Sequence, residues 1–84
     1  MNTRNTTKNS DLDGMLKRLQ ENTGMNLQWE HVPESIYNLY EGDVGKGRHH
    51  NIKTVIGKTA FYEVLHGMSC IIEEMRAANR VIEQ

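Results

Sequence analysis

The chain has 84 residues, 37% hydrophobic and 25% charged, with a formal net charge of -1. That length fits one small domain, and the near-neutral charge gives no bulk electrostatic pull toward nucleic acid or a membrane surface. A single cysteine, Cys70, rules out an internal disulfide and with it a secreted disulfide scaffold.

No apolar run approaches the roughly 20 residues of a membrane span. The first ten residues, MNTRNTTKNS, carry basic groups but no apolar stretch, so no secretory signal is expected and the expected location is cytoplasmic. A domain this small draws only a few kcal/mol from one core. A homodimer, or a partner that covers apolar surface, is one physical remedy.

Residues 1–10 are polar and predict a disordered tail; residues 11–84 form the expected domain. Ser10 followed by Asp13 resembles a capping box. Leu12, Met15, Leu16 and Leu19 then recur at helical spacing. Asn22-Thr23-Gly24 reads as the stop, so the spacing predicts a helix over about 11–23. From Met25 the period becomes two: Leu27 and Trp29 face one way, Gln28 and Glu30 the other. Pro33 ends that strand. Ile36 to Glu41 reads as a strand because tyrosine and isoleucine favour one, although Pro33-Glu34-Ser35 is also a way to start a short helix. Gly42 to Gly47 is a glycine-rich connection. Ile52, Thr54 and Ile56 then alternate with Lys53 and Val55 in a third strand.

The last segment, from about Thr59 to Ile82, carries the plainest period in the chain. Phe61, Leu65, Met68, Ile72 and Met75 alternate at spacings of four and three, which places them on one helical stripe. The expected fold class is therefore α+β: helix, three-stranded antiparallel meander, helix, with both helices on one face of the sheet. The uncovered face is expected to show Gln28, Glu30, Lys53 and Val55, with Tyr40 from the second strand.

Four constellations invite a chemical reading. Gly57-Lys58-Thr59 sits at a strand-to-helix junction like the end of a phosphate-binding loop, but the first glycine of that motif would fall on Ile52, inside a strand. His66 and Cys70 are four apart on the last helix and on its polar side. Two ligands do not make a zinc site, and a nucleophilic Cys70 would need a positioned base. No catalytic residue, metal ligand or cofactor is assigned from them. Lys46, Arg48, His49, His50, Lys53 and Lys58 fall within thirteen positions beside glycines, a pattern able to follow a phosphate backbone or an acidic protein, and equally the pattern of a solvated loop. Glu30, Tyr40, His66 and Cys70 are candidate interface residues on the two exposed surfaces.

The layout resembles that of small accessory proteins of tailed phages and prophages. The resemblance lies in Glu21-Asn22-Thr23-Gly24 at the first helix stop, in Tyr37-Asn38-Leu39-Tyr40, and in Phe61-Tyr62-Glu63-Val64-Leu65-His66-Gly67-Met68. It spans roughly residues 11–76, with Gly57 standing where such proteins usually carry serine. It implies a host-interaction or anti-defence (anti-CRISPR-like) protein, located in the cytoplasm of a bacterial host, and it transfers no site residue.

The expected function is thus a small non-enzymatic binding protein that engages another protein. The alternatives are a nucleic-acid-binding module using residues 42–58, and a small metal protein or enzyme around His66 and Cys70.

Overall fold

The computed structural model describes residues 7–83. The elements run α1 (Asn9–Thr23), β1 (Leu27–Val32), β2 (Ile36–Asp43), β3 (Arg48–Ile56) and α2 (Lys58–Glu83), with a 3-10 turn at Val44–Lys46. The strands form one antiparallel sheet in the order β1-β2-β3. Both helices cover the same face, as an α+β meander with two amphipathic helices requires.

α1 begins at Asn9, two residues earlier than its apolar spacing suggests. The Lys8 N–H donates to the Asp11 carboxylate at 2.8 Å, so Asp11 takes the part expected of Asp13, and Ser10 lies inside the first turn. Asp13 instead accepts from the indole N–H of Trp29 at 2.8 Å, tying the helix to β1. The expected tail falls largely on residues 1–6, outside the described residues. At the other end Gly24 takes φ 72° and its N–H reaches the Gln20 carbonyl at 2.7 Å. Glycine adopts that left-handed conformation without steric cost.

The core joins Leu12, Leu16 and Leu19 of α1 to Leu27 of β1, Tyr37 and Leu39 of β2, and Phe61 and Leu65 of α2. Burying each aliphatic or phenyl side chain contributes about 1.5–3 kcal/mol. The Tyr37 ring packs on Phe61 with centroids 5.6 Å apart, and Trp29 lies 6.2 Å from Tyr37.

The stripe on α2 is only partly core. Phe61 and Leu65 are fully buried and Met68 and Ile72 pack at the edge, whereas Met75 is 62% exposed. A spacing of alternating four and three averages below the helical 3.6, so such a stripe turns about 20° per heptad around the helix. By Met75 it has rotated off the sheet, and Ser69 occupies the fully buried position instead.

The two helices run parallel. Thr7 and Thr59 hydroxyls meet at 2.9 Å near one end. Further along, the Arg18 guanidinium donates to both Glu73 oxygens at 2.8 and 2.6 Å, and Asn22 donates to Glu73 at 2.6 Å. Arg76 then donates to the Asn22 carbonyl.

The second hairpin is longer and tighter than its glycines suggest. β2 and β3 pair out to Asp43↔Arg48, so only residues 44–47 remain as the tip. Gly42 makes this possible: its φ is 109°, and a Cβ there would overlap the Arg48 carbonyl oxygen. The ladder also carries an irregularity between Leu39 and Tyr40. Leu39 pairs with Lys53 and Tyr40 with Asn51, leaving Ile52 as the extra residue. Such a bulge breaks the alternation of sides. Ile52 and Val55 both pack toward the core, and Thr54 and Ile56 go to the other face. The expectation that Lys53 and Val55 line the open face is overturned by that one inserted residue.

Candidate functional site

The face of the sheet without helices carries three rows, each crossing all three strands. The first is Gln28, Tyr40, Asn51; the second Glu30, Asn38, Thr54; the third Val32, Ile36, Ile56. Strand alternation puts these residues on one side because the residues between them, Leu27, Trp29, Tyr37 and Leu39, are in the core.

Five residues of the first two rows, Gln28 excepted, form one connected polar network. Asn51 Nδ2 donates to Thr54 Oγ1 at 3.0 Å, and Thr54 Oγ1 donates to Asn38 Oδ1 at 2.7 Å. Asn38 Nδ2 donates to Tyr40 Oη at 3.3 Å, and Tyr40 Oη donates to Glu30 Oε1 at 2.8 Å. Each hydroxyl thus donates once and accepts once, and the chain ends on a carboxylate. Hydrogen bonds linked in this way polarise one another and fix rotamers. Asn38 is buried within the network although it lies on the outer face. The hydrogen bond to Glu30, then partial burial, raises the Tyr40 phenol above its ordinary value of 10.0. The His49 ring stands edge-on to Tyr40 with centroids 4.7 Å apart. Tyr40 is therefore held on both its hydroxyl and its ring side.

The third row is apolar. Val32 and Ile36 are half-buried, and Ile56, opposite Ile36, is 75% exposed. A fixed tyrosine and polar donors beside an exposed apolar row is the mixture found at protein-protein contact surfaces.

The interface residues expected from the sequence fall into two pairs. Glu30 and Tyr40 are bonded to each other at 2.8 Å on the open sheet face. His66 and Cys70 lie on the helical side of the molecule, with Sγ and Nε2 3.5 Å apart. His66 is exposed and lies parallel to Tyr62 at 6.4 Å. Cys70 is half-buried beside Arg18, whose guanidinium is engaged by Glu73.

The six basic positions do not converge on one surface. Lys46 is 3.8 Å from Asp43 at the hairpin tip. His49 is against Tyr40, while His50 Nδ1 is 3.9 Å from Glu41 on the helix side of the same hairpin. Arg48 and Lys53 share the strand parity of His50 and Val55, respectively, rather than that of Thr54. Lys58 opens α2, at the opposite end of β3 from Lys46. Gly57 accepts from the Phe61 N–H and donates to Ser35, so the Gly57-Lys58-Thr59 segment is a direct strand-to-helix step with β3 unbroken through Ile52.

Asn38, Asn51, Thr54 and Ile56 were not legible as site residues. Their signal is the cross-strand register, which period-two alternation alone misplaces at the bulge. Among the described residues no group of three or more His, Cys, Asp or Glu side chains is placed to hold a metal ion, and no helix is long and apolar enough to cross a membrane. No family model matches the chain, and comparisons with curated proteins and with solved structures likewise give no match.

Proposed function

We propose that this chain is a non-enzymatic binding protein of phage or mobile-element type, acting in the cytoplasm of a bacterial host, whose open sheet face engages another protein, a host-defence component being the class that its layout suggests. The observation that carries the reading is Tyr40, fixed by Glu30, Asn38 and His49 at the centre of an uncovered sheet. Tyrosine is enriched among residues that dominate binding energy, because it brings large area with few rotatable bonds. Here its conformational cost is met before any partner arrives. The apolar row at Val32, Ile36 and Ile56 supplies area to bury, and Gln28 and Asn51 supply polar contacts at the margin.

A nucleic-acid partner is the competing reading, and the scatter of the basic residues over two faces and both ends of β3 weakens it. The two separate on the double variant Tyr40→Ala, Ile56→Glu. Protein recognition by this face predicts that the variant remains folded by circular dichroism and loses a partner that survives nuclease and high salt. Recognition through the basic residues predicts binding that falls steeply with salt and that is reduced by the triple variant Lys46→Ala, Arg48→Ala, Lys53→Ala.

A further inference from the structure

The flank of α2 away from α1 carries a second apolar row, packed against the core at Met68 and largely exposed beyond it. Val64, Met68, Ile71, Met75 and Ala78 follow one another there at spacings of four and three, and the sequence continues the pattern at Ile82. This seam is displaced around the helix from the stripe of Phe61, Leu65, Met68, Ile72 and Met75 and shares Met68 and Met75 with it. Ile71 is 59% and Met75 62% exposed. Residues Ala77 to Asn79, beyond the bond from Arg76 to Asn22, are exposed as well.

Beside this seam lies a cavity of about 160 Å³ between the end of α1, the start of β1 and α2. Its walls are Leu19, Leu27, Leu39 and Ile52, and Met68 and Ile72 close it on the α2 side. Met25, 40% exposed, stands at its rim. Small-molecule sites usually exceed about 300 Å³. A purely apolar space of this size suits one apolar side chain.

We propose that the occupant is a second copy of this chain. Its α2 lies antiparallel along the seam, with Ile71 opposite Met75 of the other copy, so that each Met75 packs against the other copy's Met68 at the edge of the cavity. The patch is self-complementary. A two-fold interface must carry both knob and hole on one patch, and here unmatched apolar knobs and an unfilled apolar hole adjoin along one helix. Gly67 borders the seam, and a Cβ there would meet nothing within 4 Å. A mid-helix glycine costs about 1 kcal/mol relative to alanine, and the fold of one chain gives no return for it; a neighbouring helix at close approach does. The fifteen positions from 64 to 78 span roughly 22 Å of helix. With the cavity contacts, two such seams bury on the order of 1,000 Å² in total, the lower bound for a specific association, so a weak, concentration-dependent dimer is expected. It leaves both open sheet faces uncovered, and is independent of their role.

The test is sedimentation velocity of the purified chain from about 1 to 200 μM, a range that brackets weak association, on wild type, Met75→Glu and Ile71→Glu. Both substituted side chains are exposed in one copy, so the fold survives, as circular dichroism checks. The expected result is a concentration-dependent monomer-dimer equilibrium that each variant weakens at least about tenfold, since a carboxylate would enter an apolar contact. A wild-type chain that stays monomeric throughout overturns the proposal. So does a dimer that both variants leave intact.

Discussion

The two halves of α2 have the same apolar period and opposite fates. Phe61, Leu65 and Ser69 are fully buried, while Ile71 and Met75 stand largely in solvent. Phe61, Leu65 and Ser69 turn toward the sheet and α1, whereas Ile71 and Met75 lie on the flank away from α1, although Glu73 and Arg76 on the other side of the same turns are still bonded to α1. Periodicity says which side chains share a face of a helix. It does not say whether the chain has anything to cover that face.

Breaking the first half should have the largest effect. Phe61→Ala removes the ring on which Tyr37 and Trp29 pack, and is expected to cost about 3–5 kcal/mol in chemical denaturation. Ser69→Ala should act in the opposite sense. The Ser69 hydroxyl is buried without a hydrogen-bond partner among the described residues, and leaving such a group unsatisfied costs on the order of 1–3 kcal/mol. Its removal should raise stability by about 1 kcal/mol in the same assay.

Glu73 ties the second half of α2 to α1, and its effect is read through pH. The Arg18 guanidinium, then the Asn22 amide, lower its carboxyl from 4.5 to about 2. Between those values the unfolded chain takes up the proton first. The stabilisation is therefore complete above about pH 5 and is lost as pH falls toward 2. Glu73→Gln should flatten the decline in stability between pH 6 and pH 3, and the wild-type decline should shrink with added salt, because the pair is exposed to solvent. The smallest effect belongs to the second half. Met75→Ala should change the stability of the dilute chain by no more than about 0.5 kcal/mol. A loss comparable to that of Phe61→Ala would mean that Met75 is covered within one copy, and would erase the contrast.

The helices, the outer two strands and most of the core can be read from spacing, because Leu12, Leu16 and Leu19, or Leu27 and Trp29, repeat at the period of their element, whereas β2 rests on the strand preference of its tyrosines and isoleucine. The stop at Gly24 was equally plain, since few residues other than glycine accept its φ. The sites were less legible. The bulge at Ile52 inverts which of Thr54 and Val55 reaches the open face, and a one-residue insertion leaves no mark on composition. The Asn51-Thr54-Asn38-Tyr40-Glu30 network depends on that register, so its members looked like separate polar residues. Arg18 and Glu73 are far apart in sequence, and no spacing announces the parallel packing of the helices that brings them to 2.6 Å. The basic residues showed the reverse: adjacent in sequence, they are parted by strand alternation and by the length of β3.

The central claim is that the open sheet face, centred on Tyr40, is the surface that binds. The most direct measurement is capture from nuclease-treated bacterial host lysate at high salt, run in parallel with wild type, with the double variant Tyr40→Ala, Ile56→Glu, and with Met75→Glu. Binding through this face requires one protein retained by wild type and by Met75→Glu and lost by the double variant. A protein retained equally by all three, or recovery of nucleic acid alone, would contradict it.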